Sequence, residues 1–273
     1  SSLSVSQISD YLKCPYRFYL RHILQLSAED DHLIELAPNF FSLLIHQVLF
    51  EFGRSALFKS TNENKIKEFL LLCLNKQVSN LRFLAMPTVK IQIKHLEQRL
   101  SMFSAWQAAQ AKEWQIKEVE KSFNLPLAVY NSQEVELPVV KGRIDRVDIK
   151  KDSSEIIIID YKATDKEINP VREHKVKGRW INAQLPLYWE FMRRQSKDLK
   201  IKTAYLLLLP SEVKLVEAKW QEEDLIEGVQ SAVEAVEGIV KGSFWPPSLE
   251  EYSSFKEYDL FFSKGHYRGR GIK

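Results

Sequence analysis

The sequence contains little cysteine and no long apolar run. Only two cysteines, Cys14 and Cys73, occur in 273 residues, which excludes a disulfide framework and a metal site built from thiolates alone. No apolar stretch approaches the ~20 residues that span a bilayer. The first residues also have neither the basic start nor the apolar stretch of a secretory signal peptide. These absences predict a cytoplasmic protein with no membrane partner.

The composition is that of a folded chain with nearly balanced charge. Hydrophobic residues make up 45% of the sequence, which is ample for a core. The 39 Lys and Arg offset 36 Asp and Glu, so net charge alone does not indicate nucleic acid. The acid-free stretch 260–273 suits phosphate contacts, or is simply a solvated terminus. Because no Gly/Ser-rich linker occurs, we expect one domain over residues 1–273, as a fragment of a larger protein that begins without Met.

Apolar residues at three- and four-residue intervals predict a mainly helical part over residues 1–115. Ser6 is expected to cap the first helix, and Cys14-Pro15 to interrupt it before a helical stretch from Tyr16 to Leu24. Three longer helices are predicted at Asn39–Phe52, Lys65–Leu84 and Val89–Trp114. The first third of the chain therefore belongs to the helical class.

Residues 116–273 predict a sheet flanked by helices. Ile156 to Ile159 is apolar at every position, which is typical of a central strand covered on both faces. Strands are predicted at Lys117–Leu127, Glu134–Ile149, Glu155–Tyr161, Lys202–Leu209 and Val213–Trp220, and helices at Gln184–Gln195 and Glu222–Lys241. The predicted fold is α/β, with a mixed central sheet.

Two acids and a lysine stand on two adjacent predicted strands. Asp145 lies in Gly-Arg-Ile-Asp-Arg, and Asp160 begins Asp-Tyr-Lys. Mg²⁺ is usually bound by one or two carboxylates together with water and phosphate oxygens. Since strand side chains alternate, Lys162 lies on the same face as Asp160. The arrangement indicates metal-assisted hydrolysis of a phosphodiester.

These motifs resemble the PD-(D/E)XK nucleases, and within them the RecB-like branch. The resemblance rests on the opening Leu-Ser-Val-Ser to Cys-Pro-Tyr-Arg-Phe segment, on a helical histidine, on both catalytic strands and on Gln-Leu-Pro-Leu-Tyr, in the family's order. It implies a restriction-endonuclease-like fold and one or two Mg²⁺ or Mn²⁺ ions, with Lys162 positioning water. The implied metal ligands are His46, Asp145, Asp160 and the Tyr161 carbonyl; Glu120, Gln184 and Tyr188 are further active-site residues.

The chain departs from the AddB-type helicase-nuclease subunits that it resembles. In those proteins the opening cysteine joins three C-terminal cysteines around an iron–sulfur cluster. Here Cys14 remains, but Tyr252, Phe255 and Phe261 stand at the C-terminal spacing. We expect no iron–sulfur cluster, and an aromatic plug against the opening helix in its place.

Several residues are candidates for contacts with DNA. Gln184 and Tyr188 share one helical face and are expected to contact phosphate or orient the lysine, unless they are an ordinary surface pair. Arg143 flanks the catalytic acid. A basic loop is expected either to follow a phosphate backbone, with Trp180 available for stacking, or to be merely solvated. Its basic residues are Arg172, Lys175, Lys177 and Arg179.

Three acidic or basic positions have ordinary structural alternatives. His46 fits a hydrogen-bonded core histidine as well as a metal ligand. Asp160 could simply form an ion pair with Lys162. Asp148 lies three residues after Asp145, on the opposite face, and is expected to pair with a neighbouring arginine.

The function expected from these residues is a metal-dependent DNA nuclease. An exonuclease in DNA end processing, recombination or repair is the favoured form, with a helicase module as partner. One alternative is a nuclease-dead DNA-binding or scaffolding module of a helicase-like complex. A second alternative is a structure-selective endonuclease.

Overall fold

The computed structural model describes residues 2–26, 38–79, 86–127, 136–196 and 198–245. The helices are α1 Val5–Lys13, α2 Pro15–Phe18, α3 Pro38–Arg54, α4 Glu63–Val78, α5 Pro87–Gln110, α6 Pro170–His174, α7 Gln184–Gln195 and α8 Glu222–Val240. The strands are β1 Ser2–Ser4, β2 Trp114–Leu125, β3 Val139–Lys150, β4 Glu155–Ala163, β5 Lys175–Val176, β6 Arg179–Trp180, β7 Lys200–Leu208 and β8 Val213–Glu217. A π-helical turn at Tyr19–Ile23 and a 3₁₀ turn at Ala56–Lys59 complete these elements.

The central sheet is mixed, as predicted. Its strands follow the order β1-β3-β4-β7-β8, and β2 pairs with β3. β4 is antiparallel to β3 and parallel to β7, so the acid-bearing strand lies in the middle of the sheet. β5 and β6 form a separate short ribbon.

Strand β3 changes partner along one edge. At residues 139–141 it pairs with β1, and at residues 146–149 it pairs with β4. Residues 142–145 lie between these two pairings, while β2 accompanies β3 along its other edge. The sheet therefore has a notch beside Asp145, where β3 and β4 separate.

Two hydrophobic cores cover the two faces of the sheet. Ile156 and Ile158 pack in the core that contains residues of α1, α7 and α8. Ile157 and Ile159 pack on the opposite face, against α3, α4 and α5. The run of four isoleucines is thus a strand buried on both faces, as the sequence predicted.

The start of the first helix differs from the prediction. Ser4, not Ser6, caps α1: its Oγ accepts a bond from the Gln7 N–H at 3.2 Å, and Gln7 Oε1 accepts one from the Ser4 N–H at 2.8 Å. The reason is that residues 2–4 form a strand beside β3, so the chain enters the helix earlier. The sequence prediction missed β1.

Other boundaries also differ. The predicted helix through Trp114 is too long, because α5 ends at Gln110 and Trp114 begins β2, paired with Lys150. β3 starts at Val139, not at Glu134, and short elements such as α6 were missed.

Within the described residues, no helix is long and apolar enough to cross a membrane. The proposed aromatic plug and the basic C-terminal tail lie outside the described residues.

Candidate active site

Glu120 and Asp145 face each other across β2 and β3. The ladder pairs Val119 with Arg146 and Lys121 with Ile144, which places Glu120 opposite Asp145. Glu120 has a φ of 49°, a left-handed conformation that is uncommon in residues other than glycine. Such strained backbone persists where the surrounding structure enforces it, and it is frequent at functional sites.

His46 from α3 joins these two acids. Its Nδ1 lies 3.5 Å from Asp145 Oδ1 and 3.9 Å from Glu120 Oε1. One ligand atom from each of the three residues lies within 4.8 Å of the other two. A nitrogen and two carboxylate oxygens at this spacing could hold a divalent cation.

The electrostatics of His46 reflect the density of negative charge around it. Burial lowers the pKa of its imidazole, but Asp145 and Glu120 outweigh burial and raise that pKa to about 10. His46 thus lies within ion-pair distance of two acids. Acids that stabilise a protonated imidazole also attract other cations, so this pair of acids fits a metal site.

The backbone of β4 holds Asp145 in place. Asp145 Oδ2 accepts a hydrogen bond from the Tyr161 N–H at 2.8 Å, across the notch between β3 and β4. The Tyr161 ring lies edge-on to His46, with centroids 5.6 Å apart. Tyr161 thus supports two of the candidate ligands, and a role for its carbonyl as a ligand stays a prediction.

Asp160 occupies a second position beside this group. Its Oδ2 lies 2.7 Å from Lys162 Nζ, and its Oδ1 accepts a bond from Gln184 Nε2 at 2.8 Å. Burial raises the pKa of the Asp160 carboxyl, although the Lys162 charge opposes this shift. The predicted lysine is therefore adjacent to the acid. The ion pair considered as the ordinary alternative is formed too.

The side chains of Gln184 and Tyr188 face the central sheet and not the solvent. Gln184 Nε2 also lies 3.0 Å from the Tyr188 hydroxyl, whose ring is buried. Gln184 contacts Asp160, and the expected contact of the pair with DNA phosphate or Lys162 stays a prediction. Because the α7 N-terminus lies beside the C-terminal end of β4, this helix orients the acid directly.

Two neighbours of the site have structural roles. Asp148 lies away from Asp145, as predicted, and binds the buried Arg146 guanidinium at 2.6 and 2.7 Å. Arg146 also donates to Gln107 Oε1 at 2.7 Å, which ties β3 to α5.

The predicted basic loop is only partly available to a ligand. Trp180 is 2% exposed, so the expectation that it is available for stacking is wrong: it packs against Trp220. The Lys175 ammonium lies 2.6 Å from Glu227 Oε2, so it is already neutralised. Arg172, Lys177 and Arg179 are exposed.

Arg143 is the predicted contact nearest to the acids. Its Nε lies 2.6 Å from Glu120 Oε2, and its side chain is 62% exposed. No sequence pattern indicated Tyr205, whose ring centroid lies 4.8 Å from the Lys162 ammonium. Only the parallel pairing of β4 with β7, which sets Asp160 beside Tyr205, could have revealed it.

Comparisons with known proteins identify the family. No curated protein matches the sequence. A solved structure described as "Crystal structure of SSO0001" aligns with 85% of this chain and 75% of that one, at 14% identity and a TM-score of 0.31. A TM-score this low supports no conclusion. The family model of the PD-(D/E)XK nuclease superfamily matches residues 2–251, which is most of the chain, and the protein therefore belongs to that superfamily.

Proposed function

We propose that this protein is a Mg²⁺- or Mn²⁺-dependent deoxyribonuclease, acting as an exonuclease. The observation that carries the proposal is the group of His46, Glu120 and Asp145, whose ligand atoms lie within 4.8 Å of one another. The Asp160–Lys162 pair lies next to it on β4. A site of metal ligands beside a lysine is suited to phosphodiester hydrolysis.

Each residue has a distinct task in this proposal. His46, Glu120 and Asp145 would hold the ion, which when bound polarises the scissile phosphate and acidifies a water. Asp160 offers a further carboxylate, kept in position by Gln184. Lys162 orients the attacking water and stabilises negative charge that develops on the phosphate.

The finer assignment rests on the order of the motifs. We propose membership of the RecB-like branch, because Gln184 and Tyr188 stand four residues apart on α7 and Gln184 contacts the catalytic acid. A role in DNA end processing, recombination or repair follows by this resemblance, with a helicase module as the partner. A RecB-like exonuclease is expected to require a free DNA end.

Cleavage assays test the proposal. Labelled linear single- and double-stranded DNA is incubated with Mg²⁺, Mn²⁺ or EDTA, and wild type is compared with Asp145→Asn. Asp152→Asn, at an exposed acid in the β3–β4 turn, is the matched control. We expect metal-dependent cleavage that Asp145→Asn abolishes and Asp152→Asn retains. Cleavage in EDTA, or a fully active Asp145→Asn variant, would contradict the assignment.

The same assay separates the alternatives. Cleavage of closed circular DNA at the rate of linear DNA would favour the structure-selective endonuclease. DNA binding without cleavage in any metal would favour the nuclease-dead scaffold. The complete set of His46, Glu120, Asp145, Asp160 and Lys162 argues against the scaffold, since a chain that only binds DNA has no need to keep these charges together.

A further inference from the structure

The outer halves of β2 and β3 have one face that no helix of the described residues covers. Ser122 lies opposite Arg143, and Asn124 lies opposite Lys141, and all four side chains are exposed. Phe123, between them, is buried in the core on the other face. We call these four residues the β2–β3 strip. It leads directly to Glu120 and Asp145.

The charge of the β2–β3 strip has one sign. It carries no carboxylate, and its two cations stand in a single row on β3. Lys121, on the buried side of β2, is paired with Glu118, and Arg143 is paired with Glu120. Within the described residues, the Lys141 side chain makes no ion pair or hydrogen bond, while its backbone pairs in the sheet. It is therefore an exposed cation without a counter-ion among the described residues, on the approach to the candidate metal ligands.

Lys141 also borders an open groove. The groove has a volume of about 460 Å³ and is lined by Ser2, Asn124, Val139 and Lys141. Ser2 pairs with Val139, so β1 forms the groove's outer edge. An ammonium beside serine and amide groups is suited to a phosphate, which accepts hydrogen bonds from all of them.

We propose that the β2–β3 strip is a phosphate-binding track for a single nucleic-acid strand, with Lys141 as its outer anchor. This inference rests on the proposed nuclease function. Residues two apart on one strand face are ~6.7 Å apart, so Lys141 lies ~13 Å from Asp145 along β3. Lys141 thus binds a backbone phosphate a few nucleotides from the bond that is cut. Lys141 and the exposed Arg143, which is paired with Glu120, lie in one row that fits a single backbone, whereas a duplex presents two.

Equilibrium binding in EDTA tests the track without requiring cleavage. Fluorescence anisotropy measures the affinity of a labelled single-stranded oligonucleotide for wild type, Lys141→Ala and Lys141→Glu at several salt concentrations. Lys219→Ala and Lys219→Glu, at an exposed lysine after β8 on the opposite sheet edge, are the controls. We expect several-fold weaker binding in Lys141→Ala and a larger loss in Lys141→Glu. The salt slope should fall by about 0.7 per lost phosphate contact.

Several results would overturn the track. They are unchanged binding in both Lys141 variants, equal losses in the Lys219 variants, preference for duplex over single strand, or no binding by wild type. Circular dichroism shows whether each variant is folded. If wild type cleaves DNA but the Lys141 variants bind normally, the nuclease stands and the track fails. If the Lys141 variants lose affinity but no metal supports cleavage, the track stands and the nuclease fails.

Discussion

At the residue scale, the site is organised around three acids, each with a basic side chain close by. Glu120 and Asp145 face each other, and Arg143 and His46 lie close enough to pair with them. The same two acids raise the pKa of His46, so the charges that favour a protonated imidazole would also favour a bound cation. Metal ligands bind in their deprotonated form, so both ligand identity and charge determine affinity.

Removal of one ligand should weaken metal binding strongly. His46→Ala and Glu120→Gln each delete a donor from the group, and we expect Mn²⁺ affinity to fall by at least about tenfold, as for changes around metal ligands in general. Isothermal titration calorimetry with Mn²⁺ measures the change. His95→Ala, at an exposed histidine of α5, is the control and should bind as wild type. Equal losses in both histidine variants would contradict the assignment.

The Arg146–Asp148 pair illustrates a different use of charge. Both side chains are almost fully buried, and Asp148 binds two guanidinium nitrogens of Arg146. Burial of such charges is costly, so removal of one partner leaves an uncompensated charge in the core.

We therefore expect Asp148→Leu to lower the free energy of unfolding by about 3–5 kcal/mol. Arg146→Met together with Asp148→Leu should recover much of that loss, because no lone charge remains. Urea unfolding of the two single variants and the double variant measures this. Losses that simply add in the double variant would show that the pair is not coupled.

At the element scale, the alternation of strand side chains placed site residues correctly, whereas the predicted ends of the helices were inaccurate. Asp160 and Lys162 lie on one face of β4 because a strand alternates, and this local rule needs no knowledge of the fold. Strand alternation alone could not place Glu120 in the candidate metal site. The position of Glu120 depends on the β2–β3 register and on a positive φ, which no sequence pattern indicates.

Long-range pairing also explains what the sequence concealed. β1 is only three residues long and is parallel to β3, so its partner lies far along the chain. Trp180 is in a polar, basic loop, yet it is buried because α8 and Trp220 pack over it. In both cases tertiary contacts override a local pattern that is correct for an isolated segment.

The N-cap of α1 offers a test of whether the β1–β3 pairing shifts the start of the helix from the residue that the local sequence favours. Ser4→Ala removes the acceptor for the Gln7 N–H, and we expect a loss of about 1 kcal/mol in the free energy of unfolding. Ser6→Ala, at the residue that the sequence favoured, should cost less because Ser6 is an exposed residue within the helix. Thermal or urea unfolding compares the two. The reverse order would restore Ser6 as the cap.

At the scale of the whole molecule, we propose that residues 1–273 form one domain. Among the described residues, the helical part shares its core with the sheet: Ile157, Ile159 and Tyr161 of β4 are buried among α3, α4 and α5. A separate domain would have its own core, whereas the core of these helices is completed by one face of the sheet. Far-UV circular dichroism and tryptophan fluorescence should therefore report one coincident unfolding transition, whereas two separate transitions would divide the chain.

His174 connects three elements of the molecule through its ring. It is fully buried; its Nδ1 lies 2.9 Å from the Pro170 carbonyl oxygen, and its Nε2 accepts a bond from the Leu185 N–H at 3.4 Å. The Tyr205 hydroxyl lies 3.3 Å from the same Nδ1. This pattern requires a neutral ring that donates from Nδ1 and accepts at Nε2. Burial lowers the pKa of His174 to about 4.

Stability should therefore fall as the pH drops through this range. An unfolded histidine takes up a proton near pH 6.5, while the folded one does so only near pH 4. Between these values the unfolded state binds more protons, so the free energy of unfolding decreases with falling pH and levels off below about 4. The loss attributable to His174 is about 3 kcal/mol. Urea unfolding from pH 7.5 to 4 should show a shallower decline in His174→Gln, whose amide cannot titrate, than in wild type or His95→Gln. Identical slopes in all three proteins would mean that His174 is not held neutral by the fold.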